Sequence, residues 1–411
     1  MPVNMLTTLE VDNFKSLKNT KISFSKNTFF IGLNGAGKTS ILQVIDFLSV
    51  LASGEVEEWL ENRKWNKKDL TFFKSRKSLI TIAVTFNLDK EKYMWELSFN
   101  KQDLKCTKES IYRINRVVTN DGAAVTHNGK VVHNNSLIMS VDNGEYKIYS
   151  DVMLKEKISF KYTGSILSAI KSDLLGSKLN NIREFFCNIR SAELLTPVLM
   201  KQRARESDDG IGLGGEKLSA FINGLDDLKK EKLNNTLKKF FPNIKSFETK
   251  SLRSGWKTLS LVEAYGKENI ETDSMHLSDG ILRILAILAQ LLTTESILIF
   301  DEIEDGINQE FVEKLVDILI DSKHQTIVAT HSPLLLNYID DEIAKESILF
   351  VYKRKDGSTE VVNFFEAIKK LNKINQYELD MFGPGEVMQS VNLLELTKQL
   401  VDDVVKNENS D

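Results

Sequence analysis

Short apolar runs at three places along the chain predict the strands of a parallel sheet. Residues 28–31, 297–300 and 326–330 are each a run of four or five apolar or β-branched residues. Runs of this length without polar alternation are typical of strands that are buried on both faces. These segments therefore predict a central sheet that is covered on both sides.

Two further patterns predict an antiparallel part and a helical part. Residues 78–165 alternate between apolar and polar positions, including a strand at 157–160, which indicates an antiparallel meander. Its turns are predicted at Asp121-Gly122, Asn128-Gly129 and Asn143-Gly144. Residues 166–186 and 216–240 have apolar residues at helical spacing and predict a helical lobe. The chain is therefore expected to be an α/β protein with a mixed central sheet, an antiparallel β-subdomain and a helical lobe.

A phosphate-binding sequence follows the first apolar run. Residues 32–39 read Gly-Leu-Asn-Gly-Ala-Gly-Lys-Thr and lead into a helical pattern over residues 40–51. In this order of strand, loop and helix, glycines let backbone N–H groups surround a triphosphate at the helix N-terminus. Lys38 would reach the terminal phosphates, and the Thr39 hydroxyl would bind Mg²⁺. The predicted ATP-binding residues of this loop are Asn34, Gly35, Ala36, Gly37, Lys38, Thr39 and Ser40.

Two acids end the second apolar run. Asp301 and Glu302 would lie at the carboxyl edge of a buried strand, where α/β sheets bind ligands. Asp301 suits the magnesium site, and Glu302 suits the base that polarises an attacking water. The alternative is that these acids only cap the next helix, since Glu304 and Asp305 follow.

A histidine follows the third run. His331 would occupy the tip of its strand as Asp301 does, and there it could contact a γ-phosphate, although a lone histidine is more often structural. The other four histidines show no spacing typical of metal ligands.

The tetrapeptide Leu277-Ser278-Asp279-Gly280 precedes an apolar helical pattern at residues 281–292. Ser278 is therefore predicted to cap a helix whose positive N-terminal end could face an anion. By itself the tetrapeptide predicts only an ordinary capped helix.

Together these motifs resemble the head domain of ABC-type ATPases, in the branch that contains the SMC, RecF and OLD (overcoming lysogenization defect) proteins. The likeness covers roughly residues 1–50 and 190–345 and implies a P-loop ABC-type ATPase head. It makes residues 277–280 the signature motif, Asp301-Glu302 the end of Walker B and His331 the switch histidine. Residues 302–308 are similar to the loop after Walker B in the OLD-like group, but Asn308 departs from the Asp of ordinary ABC proteins and from the His common in the OLD-like group.

The resemblance also implies a partner subunit. In the family, the signature helix faces the γ-phosphate held by the other subunit, so Ser278 and Gly280 would bind ATP across a head-to-tail homodimer that encloses two ATP molecules. Binding of ATP would then favour association, and the dimer would hold ATP more tightly. Assembly beyond a dimer is left open.

Composition and charge exclude several other classes of protein. The chain has 411 residues, 42% of them apolar, and a net charge of −4, so no overall positive field attracts nucleic acid. Its two cysteines, Cys106 and Cys187, predict neither a disulfide framework nor a thiolate metal site and suit the cytoplasm. No apolar stretch reaches the length of a membrane span, and residues 1–10 lack a signal-peptide core.

The motifs suggest five segments along the chain. They are residues 1–77 with Walker A, the β-subdomain at 78–165, the helical lobe with return strands at 166–275, the signature, Walker B and switch-histidine part at 276–350, and a C-terminal extension at 351–411. Residues 210–215 contain four glycines and predict a flexible joint. The tail after Val405 is polar and is expected to be frayed.

Two absences narrow the function. About 240 residues separate Lys38 from Ser278, without a sustained heptad pattern, which excludes the long coiled coil of SMC proteins. After His331 the chain shows no acidic cluster with the strand pattern of a TOPRIM nuclease domain, so no nuclease activity is expected of it.

Several polar segments are candidates for contacts with partners. Residues 63–68 and 72–77 mix basic and aromatic side chains and could bind DNA, although such runs are more often solvated faces. A third basic segment spans residues 201–205, in which Gln202 could instead sense the nucleotide. Residues 382–386 predict a surface turn or a loop that docks a partner.

The sequence therefore supports two main hypotheses. The first is an ATPase whose ATP-driven dimerisation regulates a separately encoded nuclease or toxin in bacterial anti-phage defence. The second is a RecF-like repair ATPase that clamps on DNA when ATP is bound. A third is an ATP-binding scaffold that hydrolyses poorly.

Overall fold

The computed structural model has a six-stranded sheet at its centre. It describes residues 4–116, 126–127, 130–131, 133–149, 153–206, 210–294, 297–371 and 381–408. The described strands are β1 (Met5–Asp12), β2 (Thr20–Ser23), β3 (Asn27–Ile31), β4 (Leu79–Leu88), β5 (Glu91–Asn100), β6 (Lys105–Arg116), β7 (Thr126–His127), β8 (Lys130–Val131), β9 (His133–Asp142), β10 (Glu145–Tyr149), β11 (Met153–Lys157), β12 (Arg190–Ala192), β13 (Ile244–Ser251), β14 (Lys257–Tyr265), β15 (Glu268–Asp273), β16 (Ile297–Asp301), β17 (Gln325–Ala329), β18 (Ile348–Lys353) and β19 (Thr359–Asn363). The described α-helices are α1 (Lys38–Ser53), α2 (Val56–Asn62), α3 (Ile166–Ala169), α4 (Ser172–Cys187), α5 (Pro197–Met200), α6 (Leu218–Gly224), α7 (Asp227–Phe240), α8 (Asp279–Gln290), α9 (Gln309–Asp321), α10 (Pro333–Asn337), α11 (Asp341–Ser347), α12 (Phe364–Lys370), α13 (Pro384–Ser390) and α14 (Leu393–Glu408).

The central sheet has the order β12-β16-β17-β3-β18-β19 and is parallel except for β19. The strands β3, β16 and β17 are buried on both faces because alternate residues enter two different hydrophobic cores. Phe30 and Ile299 belong to the first core, whereas Phe29, Ile31 and Phe300 belong to the second. The predicted sheet buried on both faces is confirmed.

An antiparallel sheet of eight strands, in the order β11-β10-β9-β6-β5-β4-β1-β2, forms the predicted β-subdomain. It includes β1 and β2, which precede the predicted meander. The turn at Asn143-Gly144 joins β9 to β10 with both residues at positive φ, whereas the predicted turns at 121–122 and 128–129 lie outside the described residues. The strand predicted at 157–160 is wrong because β11 ends at Lys157.

The first core lies between this sheet and the long helix α1. Helix α4 also packs here, because Phe185 stacks on Phe86 with 5.4 Å between ring centroids and Phe186 lies 4.8 Å from Trp95. The prediction that residues 166–186 and 216–240 form one helical lobe is therefore wrong, because the two segments belong to different cores. The aromatic face of α4 is complementary to the β-subdomain instead.

The second core contains the signature helix α8. Helices α6 and α7 and the three-stranded sheet β13-β14-β15 surround it, together with α9 on the sheet side. The glycine segment 210–215, predicted as a flexible joint, forms a turn against α5. Gly215 has φ +88°, and a Cβ there would overlap the side chain of Met200.

The chain returns to the central sheet after the switch histidine. Strand β18 pairs with β3 and continues to Lys353, so the predicted segment boundary at residue 350 falls inside a strand. Residues 384–390 form helix α13 with Pro384 at its first turn, so the predicted turn at 382–386 is wrong. The tail predicted to be frayed continues as helix α14 to Glu408.

Membrane insertion through a helix is not supported by the described part of the chain. None of the helices there is both long and apolar enough to cross a bilayer.

Candidate nucleotide site

The phosphate loop joins β3 to α1, and two of its glycines are required by close packing. A Cβ at Gly32 would overlap the carbonyl oxygen of Val351 in β18, and one at Gly37 would overlap the hydroxyl of Thr359 in β19. Both glycines also have positive φ, at +150° and +114°. The hydroxyl of Thr359 donates a hydrogen bond of 2.9 Å to the carbonyl of Ala36. The C-terminal hairpin of the sheet therefore supports the loop from behind.

Lys38 is buried at the start of α1. Its ammonium donates to the carbonyl of Gly32 at 2.9 Å and to that of Leu33 at 3.4 Å. Burial lowers the pKa of Lys38, and the nearby carboxylates of Asp301, Glu302 and Glu304 oppose this shift. The ammonium is thus held inside the loop, where an incoming phosphate can take over its hydrogen bonds.

Thr39 and Asp301 bring the loop and the neighbouring strand together. The Thr39 hydroxyl donates a hydrogen bond of 2.9 Å to the carboxylate of Asp301 at the end of β16. Burial raises the pKa of Asp301, and the hydrogen bond from Thr39 lowers it. A hydroxyl and a carboxylate are oxygen ligands of the kind that Mg²⁺ prefers. These residues therefore fit a magnesium ion beside the phosphates.

Glu302 and His331 face each other beyond Asp301. Glu302 has a left-handed backbone conformation with φ +48°, which is strained for a residue other than glycine. This conformation turns its carboxylate toward His331, with 3.3 Å between Oε1 and Nδ1. The two side chains are 41% and 52% exposed, so both can be reached from solvent. Strained residues of this kind occur preferentially at functional sites.

The remaining predicted loop residues line the same end of the sheet. Leu33, Asn34 and Gly35 are exposed, Ser40 near the start of α1 is partly exposed, and Ala36 is buried. Gly35 has φ +75°, and no atom lies within 4 Å of the position of a Cβ there. The front of the loop is therefore open, in contrast to its back.

Glu304 was not identified as a site residue from the sequence. Its Oε1 accepts a hydrogen bond of 2.5 Å from the hydroxyl of Thr330 at the tip of β17, and burial raises the pKa of its carboxyl group. This contact ties the loop after β16 to the strand that carries His331. The only sequence signal was its place in an acidic segment, which indicated a helix cap equally well.

Glu193 was also missed, although it lies directly after β12 at the same edge of the sheet. Its carboxylate accepts from Gln43 of α1 and lies 3.4 Å from the guanidinium of Arg63. Burial raises the pKa of Glu193, and the negative charge of Asp301 raises it further. Gln202, the predicted candidate for nucleotide sensing, lies in the turn after α5. Its backbone carbonyl accepts a hydrogen bond from the hydroxyl of Ser219.

The position of Arg63 changes the interpretation of the first basic segment. Its side chain is only 3% exposed and bridges Asp46 and Glu193, and its guanidinium lies over the ring of Trp59. Arg63 is therefore unable to contact DNA, and residues 63–68 are not a continuous basic surface. In the second segment, Phe73 is 72% exposed and Lys74 is also exposed.

Residues 277–280 lead into α8, and Ser278 caps this helix as predicted. The hydroxyl of Ser278 accepts a hydrogen bond of 3.4 Å from the N–H of Ile281, which makes it the N-cap. A Cβ at Gly280 would lie 2.8 Å from the carbonyl oxygen of Gly306, so the loop after β16 packs tightly against the start of this helix. An open cavity of about 580 Å³ lies in front, lined by the signature together with residues such as Lys201, Asn308 and Phe311.

These features define the class of protein. A phosphate loop on a mixed sheet, an acid-tipped neighbouring strand, a histidine after the next strand and a helix capped by Ser278 together form the fold of an ABC-type ATPase head.

A solved structure of low sequence identity has a similar fold. The chain is similar over 89% of its length to the head domain of an SMC protein solved with the C-terminal winged-helix domain of ScpA, with 18% identity, 99% of that chain covered and a TM-score of 0.50. A second similar structure is the SMC head domain with an extended coiled coil from Pyrococcus furiosus, bound to the C-terminal domain of ScpA. It has 16% identity, covers 90% of this chain and 99% of its own, and has a TM-score of 0.49. No curated protein matches the chain in sequence.

Two family models match the sequence. The model of the AAA ATPase domain matches residues 5–211, just over half of the chain, and a model described as an AAA domain, putative AbiEii toxin of a type IV toxin–antitoxin system, matches residues 164–337. The chain belongs to the AAA ATPase domain family. The narrower assignment to the OLD-like group stays a prediction.

Proposed function

We propose that this protein hydrolyses ATP with Mg²⁺ and uses ATP binding to form a head-to-tail homodimer that regulates a separately encoded effector. The observation that carries the proposal is the convergence of two pairs at one sheet edge. Thr39 meets Asp301 at 2.9 Å, and Glu302 meets His331 at 3.3 Å. The first pair suits the metal that accompanies the phosphates, and the second suits the water that attacks them.

The residues have separate roles in this mechanism. Lys38 and the N–H groups of residues 34–40 bind the phosphates, which the positive end of α1 also favours. Thr39 and Asp301 would hold Mg²⁺, which would neutralise charge on the phosphate oxygens. Glu302 accepts a proton from the attacking water as the bond from that water to the γ-phosphorus forms and the bond to the β–γ bridging oxygen breaks.

In this proposal His331 orients Glu302 and contacts the γ-phosphate. A proton on Nδ1 of His331 allows this nitrogen to donate a hydrogen bond to the carboxylate of Glu302. Nε2 can donate to a phosphate oxygen at the same time only if it also carries a proton. The imidazolium form would therefore bridge the base and the transferred phosphoryl group, with its positive charge opposite the developing negative charge.

The dimer is proposed from the position of the signature. The open cavity in front of Ser278 and Gly280 is lined by the signature helix, its neighbours and the loop after β16. An N-terminal helix end that faces open space can bind the ATP of a second subunit. The tight contact of Gly280 with Gly306 would transmit the state of one ATP site to the surface that contacts the other.

The effector is proposed from the family description and the sequence. The matched model refers to a putative toxin of a type IV toxin–antitoxin system, which supports a role in bacterial defence. Since residues after His331 continue the central sheet and then form helices α12 to α14, the described part of the chain contains no nuclease-like sheet in this region. The destructive activity is therefore assigned to another protein.

The test of the catalytic assignment compares two variants. Glu302→Gln should bind ATP normally, lower kcat by at least about 100-fold and accumulate the dimer, because the base is lost while the site stays intact. Lys38→Ala should lose ATP binding. Phosphate release, nucleotide titration and light scattering measure these effects, and normal turnover of Glu302→Gln would refute the role of Glu302.

The dimer has its own test. Ser278→Arg should leave ATP binding by the monomer unchanged and abolish the part of the turnover that rises with protein concentration. The comparison variant is Ser332→Arg, which removes a helix cap of the same type at α10. Because Ser332 follows His331 directly, this variant should lower turnover at every protein concentration, including that of the monomer. Turnover by Ser278→Arg that matches wild type would overturn the composite site.

DNA binding is a second candidate function because the second basic segment remains exposed. The ring of Phe73 can stack on a base, and the ammonium of Lys74 can contact a phosphate. Fluorescence anisotropy with a labelled single strand should then show affinity that requires ATP and falls steeply with salt. Binding that is absent in ATP and low salt would exclude this function.

A further inference from the structure

The switch histidine is followed at once by a short helix that another part of the chain supports. Residues 333–337 form α10, which is capped by the hydroxyl of Ser332. Leu335 and Leu336 are fully buried. A helix of five residues has little stability of its own, so the position of α10 depends on what packs against it.

The support comes from helix α13 in the C-terminal extension. The side-chain oxygen of Asn337, the last residue of α10, accepts hydrogen bonds from the backbone N–H groups of Gly385 at 2.8 Å and Glu386 at 3.2 Å. A Cβ at Gly385 would overlap the carbonyl oxygen of Pro333, so the two helices are in backbone contact. Asn337 therefore caps α13 from outside that helix.

This contact binds both ends of α10 to the same helix. Gly385 touches the backbone at Pro333, two residues after His331, and Asn337 holds the other end. At the other side of His331, Thr330 is bonded to Glu304. Described contacts thus restrain the chain on both sides of the histidine, whose own side chain remains half exposed opposite Glu302.

We infer that Asn337 is a positioning residue for ATP hydrolysis, which holds α10 on α13 so that His331 lies opposite Glu302. The inference rests on the proposed catalytic role of His331 and Glu302 and extends it to the C-terminal extension. Helix α13 is then part of the catalytic support, and a change in its packing alters turnover without touching the phosphate loop. A displacement of about 1 Å at a reacting group can lower a rate by about 100-fold.

The experiment compares Asn337→Ala with Asn337→Asp in the full chain. The alanine variant removes the acceptor and should lower kcat by about 10-fold to 100-fold while the affinity for a fluorescent ATP analogue stays within about twofold. Aspartate keeps an oxygen for both N–H groups and should restore kcat to within about threefold of wild type. Hydrogen exchange of residues 331–337 should accelerate in the alanine variant only.

A second pair of variants covers the case in which Asn337→Ala does not fold. Gly385→Ala should separate α13 from α10 and lower kcat in the same way. Gly224→Ala is the matched control, because a Cβ there meets no atom within 4 Å and the residue ends α6 in an ordinary backbone conformation. It should retain the kcat of wild type.

The outcomes separate this inference from the proposed function. Normal kcat in Asn337→Ala or in folded Gly385→Ala refutes the positioning role while wild-type turnover stands. An equal loss of kcat in the alanine and aspartate variants also refutes it. Absence of turnover in the wild type, with Mg²⁺ and at high protein concentration, would instead refute the proposed function itself.

Discussion

Two groups of charged residues lie near helix α1, and the chain uses their charges differently. In the first group, Glu302 and His331 are about half exposed and Lys38 donates to carbonyls of its own loop. In the second group, Arg63 is buried between Asp46 and Glu193. The first group keeps its charges accessible to a ligand, whereas the second neutralises them within the protein.

The difference shows why basic sequence segments are poor guides to binding. Arg63 belongs to a segment of the kind that binds phosphate, yet Trp59 and Trp65 cover its guanidinium, at 4.4 and 5.6 Å from the ring centroids. Trp59 also donates a hydrogen bond of 2.6 Å to Asp46. Since removal of a charge from water is costly, each buried ion needs a partner, and the network of partners joins α1, α2 and the end of β12.

The largest effect on stability is expected from Arg63→Ala. It would leave the carboxylates of Asp46 and Glu193 buried without a cation, which typically costs about 3–5 kcal/mol of unfolding free energy. Urea denaturation measures this loss. Arg76→Ala, at an exposed position of the neighbouring segment, is the control and should change stability by less than about 0.5 kcal/mol. Equal effects of the two variants would show that the buried network is not structural.

A somewhat smaller effect is expected at Glu109, a buried carboxyl group without a cation. Its partners are Ser165 at 2.6 Å, the N–H of Ile166 at 2.8 Å and Trp95 at 3.3 Å, and burial raises its pKa from 4.5 to about 7. The folded protein therefore binds this proton more tightly than the unfolded chain. Stability from this group is complete below pH 4.5 and falls as the pH rises to about 7, by roughly 3 kcal/mol.

Glu109→Gln should remove this part of the pH dependence. Glutamine keeps an oxygen for the N–H of Ile166 and does not titrate. Chemical denaturation of both proteins between pH 4.5 and pH 8 provides the measurement. Parallel stability curves for the variant and the wild type would contradict the assigned pKa.

The smallest effect concerns the strained backbone at Glu302. Glu302→Gly and Glu302→Ala both remove the carboxylate, but only glycine adopts φ +48° without strain. The glycine variant should therefore be more stable than the alanine variant by about 1 kcal/mol. Thermal unfolding of the pair isolates the backbone cost, since turnover should be lost in both. Equal melting temperatures would show that the conformation is not strained.

The sequence predicts the nucleotide edge well because its signals are local. The strands before Gly32 and Asp301, and the cap at Ser278, are each specified by neighbouring residues. Hydrophobic runs that end in polar residues also predict which strands meet at one edge of a parallel sheet. For these elements, composition and spacing over about ten residues were sufficient.

The remaining parts depend on contacts between distant segments. Thr359 reaches Ala36 across more than 300 residues, and Arg63 meets Glu193 across 130. Helix α4 has the spacing of the signature lobe but packs on the β-subdomain because its phenylalanines find Phe86 and Trp95 there. Periodicity shows that a face is apolar, but it does not show which of two cores will cover that face.

Strand β3 acquires its neighbours late in synthesis. It ends at Ile31, yet its two partners, β17 and β18, begin at Gln325 and Ile348. Until those residues leave the ribosome, the loop that would hold ATP lacks the neighbouring strands of its sheet. Nucleotide binding is therefore expected only after β17 and β18 have been translated.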